Sequence, residues 1–274
     1  MASTLKICAG AKPNLMRRTE LQEIHDHPKF PGLLRDLVTD ALQALWEFGN
    51  SYEPALGRLL EGMDHTGTSE ILDLCSGGGG PWLRLVREPA LQGASQITIR
   101  LTDKYPNQGA FEQASAKSPL LKYEVNPVDA TQIPQRLAGF RTIFSSFHHF
   151  SPDLARKVLA DAARQRRGMG IFEMARRDPR TILTICCLPV ISWLTAPGIR
   201  PFRWSRIFWT YLIPLVPFVL VYDGIVSCLR AYSEDELAEL VRSLATENYE
   251  WHIGDVRSGF LPLTYLIGYP VPHT

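Results

Sequence analysis

Apolar positions before residue 70 recur at helical spacing. Leu34, Leu37, Val38, Ala41, Leu42 and Leu45 fall on one face, so Pro31 opens a helix that Gly49-Asn50 stops. Upstream, Thr19 and Gln22 make a capping-box pattern that predicts a short helix ended by His27-Pro28. Downstream, Pro54 to Met63 reads as a third helix, and this N-terminal region offers no strand. The period then changes. Ile71-Leu72-Asp73-Leu74 is a buried strand, Gly77 to Gly80 a tight turn, and Pro81 to Val86 a helix that begins on proline. Strand-like runs return at 96–102, 121–125, 142–146 and 169–174, separated by helical segments of which 152–166 is the clearest. After Glu173 the alternation lapses, and it resumes where Ser233 and Glu236 form a second capping box for a helix to about Leu244. Strands at 249–256 and 263–269 then flank Ser258-Gly259 as a hairpin.

Strands that alternate with helices imply parallel pairing and helices on both faces. The expected fold is α/β: a doubly wound, mostly parallel seven-stranded sheet with a C-terminal antiparallel hairpin. An N-terminal helical cap and an apolar insertion after the fifth strand complete it. The expected divisions are a cap over 1–68, a core over 69–175, an insertion over 176–231 and a core-completing segment over 232–274.

Composition narrows the functional classes. With 274 residues, 45% hydrophobic and 21% charged, the chain has enough apolar material for one large α/β domain with an insertion, or two smaller domains. A net charge of +1 supplies no field for nucleic acid. The five cysteines show no zinc spacing, and residues 1–15 hold only Lys6 and Lys12 as charged side chains and no continuous apolar core. Reduced thiols, no metal, no secretory signal and a cytoplasmic location are the expectations.

The strongest chemical signal is Asp73 to Gly80. A carboxylate near a strand end, followed by glycines that open a helix, lets backbone approach a ligand closely. A dinucleotide turn needs a third glycine where this chain has Trp82. Counted from Asp73, the run instead resembles the acidic-x-Gly-x-Gly-x-Gly pattern of class I, Rossmann-like S-adenosylmethionine-dependent methyltransferases, with Cys75 in the first glycine's place and Gly77 and Gly79 in the others. Three later segments extend the resemblance. Asp103 ends the second strand where the family's acidic residue accepts both ribose hydroxyls, with Lys104 beside it. Val128-Asp129-Ala130 stands where a side chain and the next backbone N–H recognise adenine. Residues 142–150, with Ser146, correspond to the fourth strand and the loop that lines the transfer site. The resemblance covers about 70–175 and the last helix and two strands. It implies S-adenosyl-L-methionine as cofactor, held by Asp73, Cys75, Gly77, Gly79, Asp103, Lys104, Asp129, Ala130 and Ser146.

In that frame His148 and His149 stand at the end of the fourth strand, where an imidazole suits a proton acceptor. In relatives the stretch also serves only to shape the pocket. Glu173, at the end of the fifth strand, is the next candidate, or a partner for Arg176 or Arg177; Asp223 and Tyr232 follow. The insertion holds nineteen uncharged residues between Arg180 and Arg200 and sixteen between Arg206 and Asp223, each run with two prolines. Neither reads as a clean membrane span. Arg176, Arg177, Arg180, Arg200, Arg203 and Arg206, with Trp193, Trp204 and Trp209, surround these runs. Two readings stay open: contact of 181–222 with the cytoplasmic side of a bilayer, or a lid or subunit contact. Both favour a lipophilic small-molecule substrate methylated on O, N or C. The alternatives are a non-catalytic S-adenosylmethionine-binding scaffold or membrane-associated partner protein, and an NAD(P)-dependent reductase, disfavoured by Trp82 and by the absence of a Tyr-x-x-x-Lys pattern. Nucleic acid is not expected as a partner, since no Asn/Asp-Pro-Pro-Tyr/Trp tetrad occurs.

Overall fold

The computed structural model describes residues 4–7, 16–93, 97–200, 202–244, 246–259 and 261–272. The expected strand start at Gln96 lies outside them, as do parts of the N-terminal segment read for a signal. The chain forms two compact units, one of Met1–Lys12, Ser51–Met174 and Tyr232–Thr274, the other of Pro13–Asn50 and Ala175–Ala231.

The first unit is built on one sheet. Its strands are β1 (Thr4–Ile7), β2 (Glu70–Leu74), β3 (Thr98–Leu101), β4 (Leu121–Tyr123), β5 (Phe140–Phe144), β6 (Met169–Glu173), β7 (Tyr249–Ser258) and β8 (Leu261–Pro270), in the order β1-β7-β8-β6-β5-β2-β3-β4. Strands β2 to β6 are mutually parallel, and β8 runs antiparallel to both β6 and β7. The α/β class, the parallel core and the terminal hairpin are as the periodicity predicts. The sheet has eight strands instead of seven, because Thr4–Ile7 pairs in parallel with β7 and Lys6 forms an ion pair with Glu250. A four-residue segment is too short to carry a readable alternation.

Helices α1 (Ala55–Thr66), α2 (Gln108–Lys117), α3 (Pro152–Arg164) and α4 (Glu234–Arg242) belong to this unit. Helix α1 packs on β8 and β6 instead of joining the cap assigned to 1–68. Gly62 makes that approach close: a Cβ there would stand 2.9 Å from the Phe140 ring. The α4 capping box forms as expected, with Ser233 Oγ accepting from Glu236 N at 3.2 Å and Ser233 N donating to Glu236 Oε2 at 2.8 Å. On one face of the sheet Leu72, Ile143 and Ile171 pack against Val158, Leu159 and Ala162 of α3 and Leu237 and Val241 of α4. Within this core lies a charge pair: Arg141 of β5 donates from Nη1 to Asp161 Oδ2 of α3 at 2.9 Å, both side chains fully buried.

In the second unit, the helix Gly32–Gly49 places Leu34, Leu37, Val38 and Ala41 against Val216, Val219 and Leu220 of the helix Leu215–Arg230. Asn50 terminates the first of these in the left-handed conformation, at φ 42°. The helix expected to start at Thr19 does not form. Its backbone donors are taken elsewhere: Thr19 N by the Leu229 carbonyl at 3.0 Å, and Ile24 and His25 N by the Asp223 carboxylate at 2.6 and 3.2 Å. Asp223 also meets His25 Nδ1 at 2.8 Å, so this carboxylate, a catalytic candidate by sequence, organises the 16–30 segment.

Candidate active site at the carboxyl ends of the strands

Strand β2 is flanked by β3 on one side and β5 on the other, so the connections leave it in opposite directions. In open α/β sheets the crevice at such a switch point is where ligands bind. The glycine turn lies directly after it. Asp73 is buried beneath the turn, with Ser76 Oγ donating to Oδ2 at 2.6 Å and Thr142 Oγ1 donating to Oδ1 at 2.7 Å. Burial pushes its carboxyl up to about 6, against the pull of those two hydroxyls. Both oxygens are engaged in holding the turn to β2 and β5. Asp73, 1% exposed, thus braces the glycine turn from beneath. Cys75, in the place of a glycine, adopts φ 56°, and Gly77, Gly79 and Gly80 follow at 52°, 113° and 55°. The strained cysteine shows that the turn keeps a glycine-type backbone with a side chain added. Burial pushes its thiol up, which disfavours the nucleophilic thiolate. Trp82 is buried and meets Phe144 edge-on at 5.3 Å, filling the space that a dinucleotide turn leaves for close helix packing.

Asp103 joins the turn to the end of β3. Its Oδ2 accepts from Gly77 N at 2.9 Å and its Oδ1 from Tyr105 N at 2.8 Å. Each oxygen retains acceptor capacity, and the side chain is half-buried at the rim. A Cβ built on Gly77 would meet nothing within 4 Å, so open space lies against the turn beside this carboxylate. Val128 N donates to the Asp103 carbonyl at 2.8 Å and brings the 128–130 loop alongside. There Lys104 Nζ donates to Asp129 Oδ2 at 2.9 Å, and Thr131 donates to Oδ1 through N and Oγ1 at 2.9 and 2.6 Å. Thr131 and Lys104 hold the Asp129 carboxyl down at about 2. Ala130 is buried in the core beneath. The structure thus brings Gly77, Asp103, Lys104 and Asp129 together. It adds Tyr105, an exposed ring next to Asp103 that sequence reasoning passed over because a lone aromatic after a charged residue carries no pattern.

The ends of β5 and β6 hold the second group. Glu173 meets two groups of the β5 end. Its Oε1 accepts from Phe147 N at 2.7 Å, and its Oε2 lies 2.8 Å from His148 Nδ1. His148 is buried, and its ring stands 4.4 Å from that of His149, centroid to centroid. The rings of Phe150 and Tyr232 pack against Phe147, and Tyr232 donates to the Phe150 carbonyl at 2.7 Å, which gives it a bracing role. Ser146 half-faces solvent and donates to the Phe144 carbonyl at 3.1 Å. Its neighbour Ser145 takes a left-handed φ of 41°, bonds to the Tyr52 hydroxyl and accepts from Met174 N at 3.3 Å. A non-glycine residue held in this way at a strand end marks a backbone over-determined by its surroundings. Nothing in the sequence linked Tyr52 to Ser145, which lie 93 residues apart.

No family model matches the chain, and no curated protein matches it. Solved structures resemble it in shape. An O-methyltransferase family protein from Burkholderia thailandensis is 16% identical with a TM-score of 0.46, over 81% of this chain and 57% of its own. The mitomycin 7-O-methyltransferase MmcR is 16% identical at 0.47, over 90% and 59%. The plantazolicin methyltransferase BpumL, solved with S-adenosylhomocysteine, is 12% identical at 0.47, over 87% and 98%. The chain spans less than two thirds of the length of the first two. A structure named for alcohol dehydrogenases of Rhodobacter sphaeroides falls in the same range, at 13% and 0.44. Likeness at this level says nothing of chemistry, which has to come from this chain's own residues.

Proposed function

We propose that the chain is an S-adenosyl-L-methionine-dependent methyltransferase acting on a lipophilic small molecule. The observation that carries this is Asp103: a carboxylate fixed by the Gly77 amide at the switch point, with acceptor capacity left on both oxygens and open space against the glycine beside it. That arrangement suits two vicinal ribose hydroxyls. Asp129, kept ionised, is an acceptor for an adenine amino group, and the glycine turn admits the ribose and methionine portions without side-chain obstruction. Trp82 in the core argues against a dinucleotide in the same turn.

The bound cofactor would supply a methyl group already activated on sulfur, so the protein needs to align the acceptor and take its proton. With His148 donating from Nδ1 to Glu173 Oε2, Nε2 is the nitrogen left to accept a proton. Glu173 thereby sets the tautomer and, through Phe147 N, the position of the ring. His148 would take the proton that the acceptor gives up on being methylated. The aromatic cluster of Phe147, Phe150 and Tyr232 next to His148 in the chain supports a lipophilic acceptor.

Calorimetry with S-adenosylhomocysteine tests the cofactor assignment. Asp103→Ala removes charge-assisted hydrogen bonds worth about 1.5–3 kcal/mol, so the affinity should fall by about tenfold to a hundredfold. An unchanged affinity places the ribose elsewhere and removes the assignment.

A further inference from the structure

We infer that the second unit docks on a lipid bilayer, with the segment 179–222 lying in the membrane interface. Its helices are turned inside out relative to helices that face water. In the helices Pro179–Ile185 and Leu188–Thr195, Thr181 and Ser192 are 1% and 3% exposed, whereas Leu183 and Leu194 are 70% and 78% exposed. In the turn Phe208–Leu212, Thr210 is 1% exposed and Leu212 73%. A surface helix in water hides its apolar stripe and shows its polar one. Of the eighteen large apolar side chains exposed among the described residues, twelve lie in 179–222. Two hydrogen bonds tie the helix Leu188–Thr195 to the turn Phe208–Leu212: Trp193 Nε1 donates to the Thr210 carbonyl at 3.0 Å and Tyr211 donates to the Trp193 carbonyl.

Length, charge and rim chemistry identify the occupant as lipid. The stretch Pro179–Gly198 is long and apolar enough to cross a membrane, with a mean hydropathy of 1.6 and only 17% of its window buried. Trp204–Leu212 and Leu215–Arg230 form a second apolar pair, bent by 72° as in a re-entrant segment. This region is tied back to the same unit before, within and after it, Arg177 by the Met16 carbonyl at 3.0 Å, Arg206 by Asp40 at 2.6 Å and Asp223 by Ile24 N at 2.6 Å, which favours lying in the interface over spanning. Residues 179–222 contain four arginines and no carboxylate, matching an anionic headgroup layer. Trp193, Trp204 and Tyr211 are exposed and of the type that settles at headgroup depth. The arginines do not act as the uniform cluster that the sequence suggested. Arg206 is buried on Asp40 and Arg203 stands 4.0 Å from the same carboxylate, so only Arg180 and Arg200 are exposed. Binding therefore rests mainly on apolar insertion, with a smaller salt-sensitive part.

Flotation with vesicles of phosphatidylcholine, alone or mixed with phosphatidylglycerol, tests this on the full chain. The wild-type protein should float with both. Leu194→Glu combined with Leu212→Glu should weaken partitioning by about a hundredfold or more, with an unchanged melting temperature because both side chains are exposed. Arg200→Glu should cost about fivefold, on anionic vesicles at low salt only. Failure of the wild-type protein to float, or a double variant that floats as well, overturns the inference. So does a concentration-dependent dimer that the double variant abolishes without flotation, which would assign the patch to a second copy. S-adenosylhomocysteine binding is measured on the same preparations and does not depend on the outcome, so this inference and the methyltransferase reading fail separately.

Discussion

Replacing His148 with alanine is expected to lower turnover by about 10²–10⁴-fold while leaving S-adenosylhomocysteine affinity within about threefold. The expectation follows from the division of labour at the strand ends. The proposed cofactor contacts come from the turn after β2, from Asp103 and from the loop at Asp129, whereas His148 is held by Glu173 at the ends of β5 and β6. Removing the imidazole takes away the proton acceptor and none of the groups that meet the nucleoside. Glu173→Gln keeps an oxygen for Phe147 N but loses the charge that favours the Nδ1–H tautomer, so it should lie between wild type and His148→Ala. The readout is S-adenosylhomocysteine released in the presence of a panel of lipophilic phenols. Turnover within about fivefold of wild type would reduce His148 to a wall of the pocket.

The second large effect concerns stability. Asp161→Ala should cost about 3–5 kcal/mol in denaturant unfolding, because it strands the buried Arg141 guanidinium in the core. Asp161 also accepts from Gln165 Nε2 at 2.9 Å and pairs with Arg164, so α3 loses several ties at once. Its Oδ2 stands 3.4 Å from Ile133 N, close to the Asp129 loop, and cofactor affinity should therefore fall along with stability. Replacing both partners, Arg141→Met with Asp161→Leu, should recover most of the loss, since an apolar pair leaves no charge uncompensated. A single variant with wild-type stability would show that the guanidinium finds water or another partner on its own.

What could be read from the sequence follows from the range of the interactions involved. The parallel strands, the glycine turn and the Ser233 capping box are local patterns in which neighbouring residues dictate the backbone, and they appear where the periodicity places them. Asp103 and Asp129 were legible for a related reason: each ends or follows a strand, and parallel strands deliver their ends to one edge of the sheet. The features that escaped are pairings across long stretches of chain. Arg141 within β5 gave no sign of Asp161, and Tyr52 gave none of Ser145. Thr19 and Gln22 carry a helix-start pattern, but distant acceptors at Leu229 and Asp223 outcompete the helix for the backbone donors of that segment. Asp73 is tied in a similar way, with Ser76 and Thr142, one of them from another strand, donating to its oxygens.

The most direct test of the account is a pair of titrations on the unaltered chain, S-adenosylhomocysteine in one cell and NADH in the other, followed by calorimetry. A turn that carries Trp82 in its core and offers Asp103 beside an unobstructed Gly77 should give saturable one-to-one binding of S-adenosylhomocysteine and no heat with NADH beyond dilution. Saturable binding of NADH with none of S-adenosylhomocysteine would contradict the account and make the chain a dinucleotide-dependent enzyme.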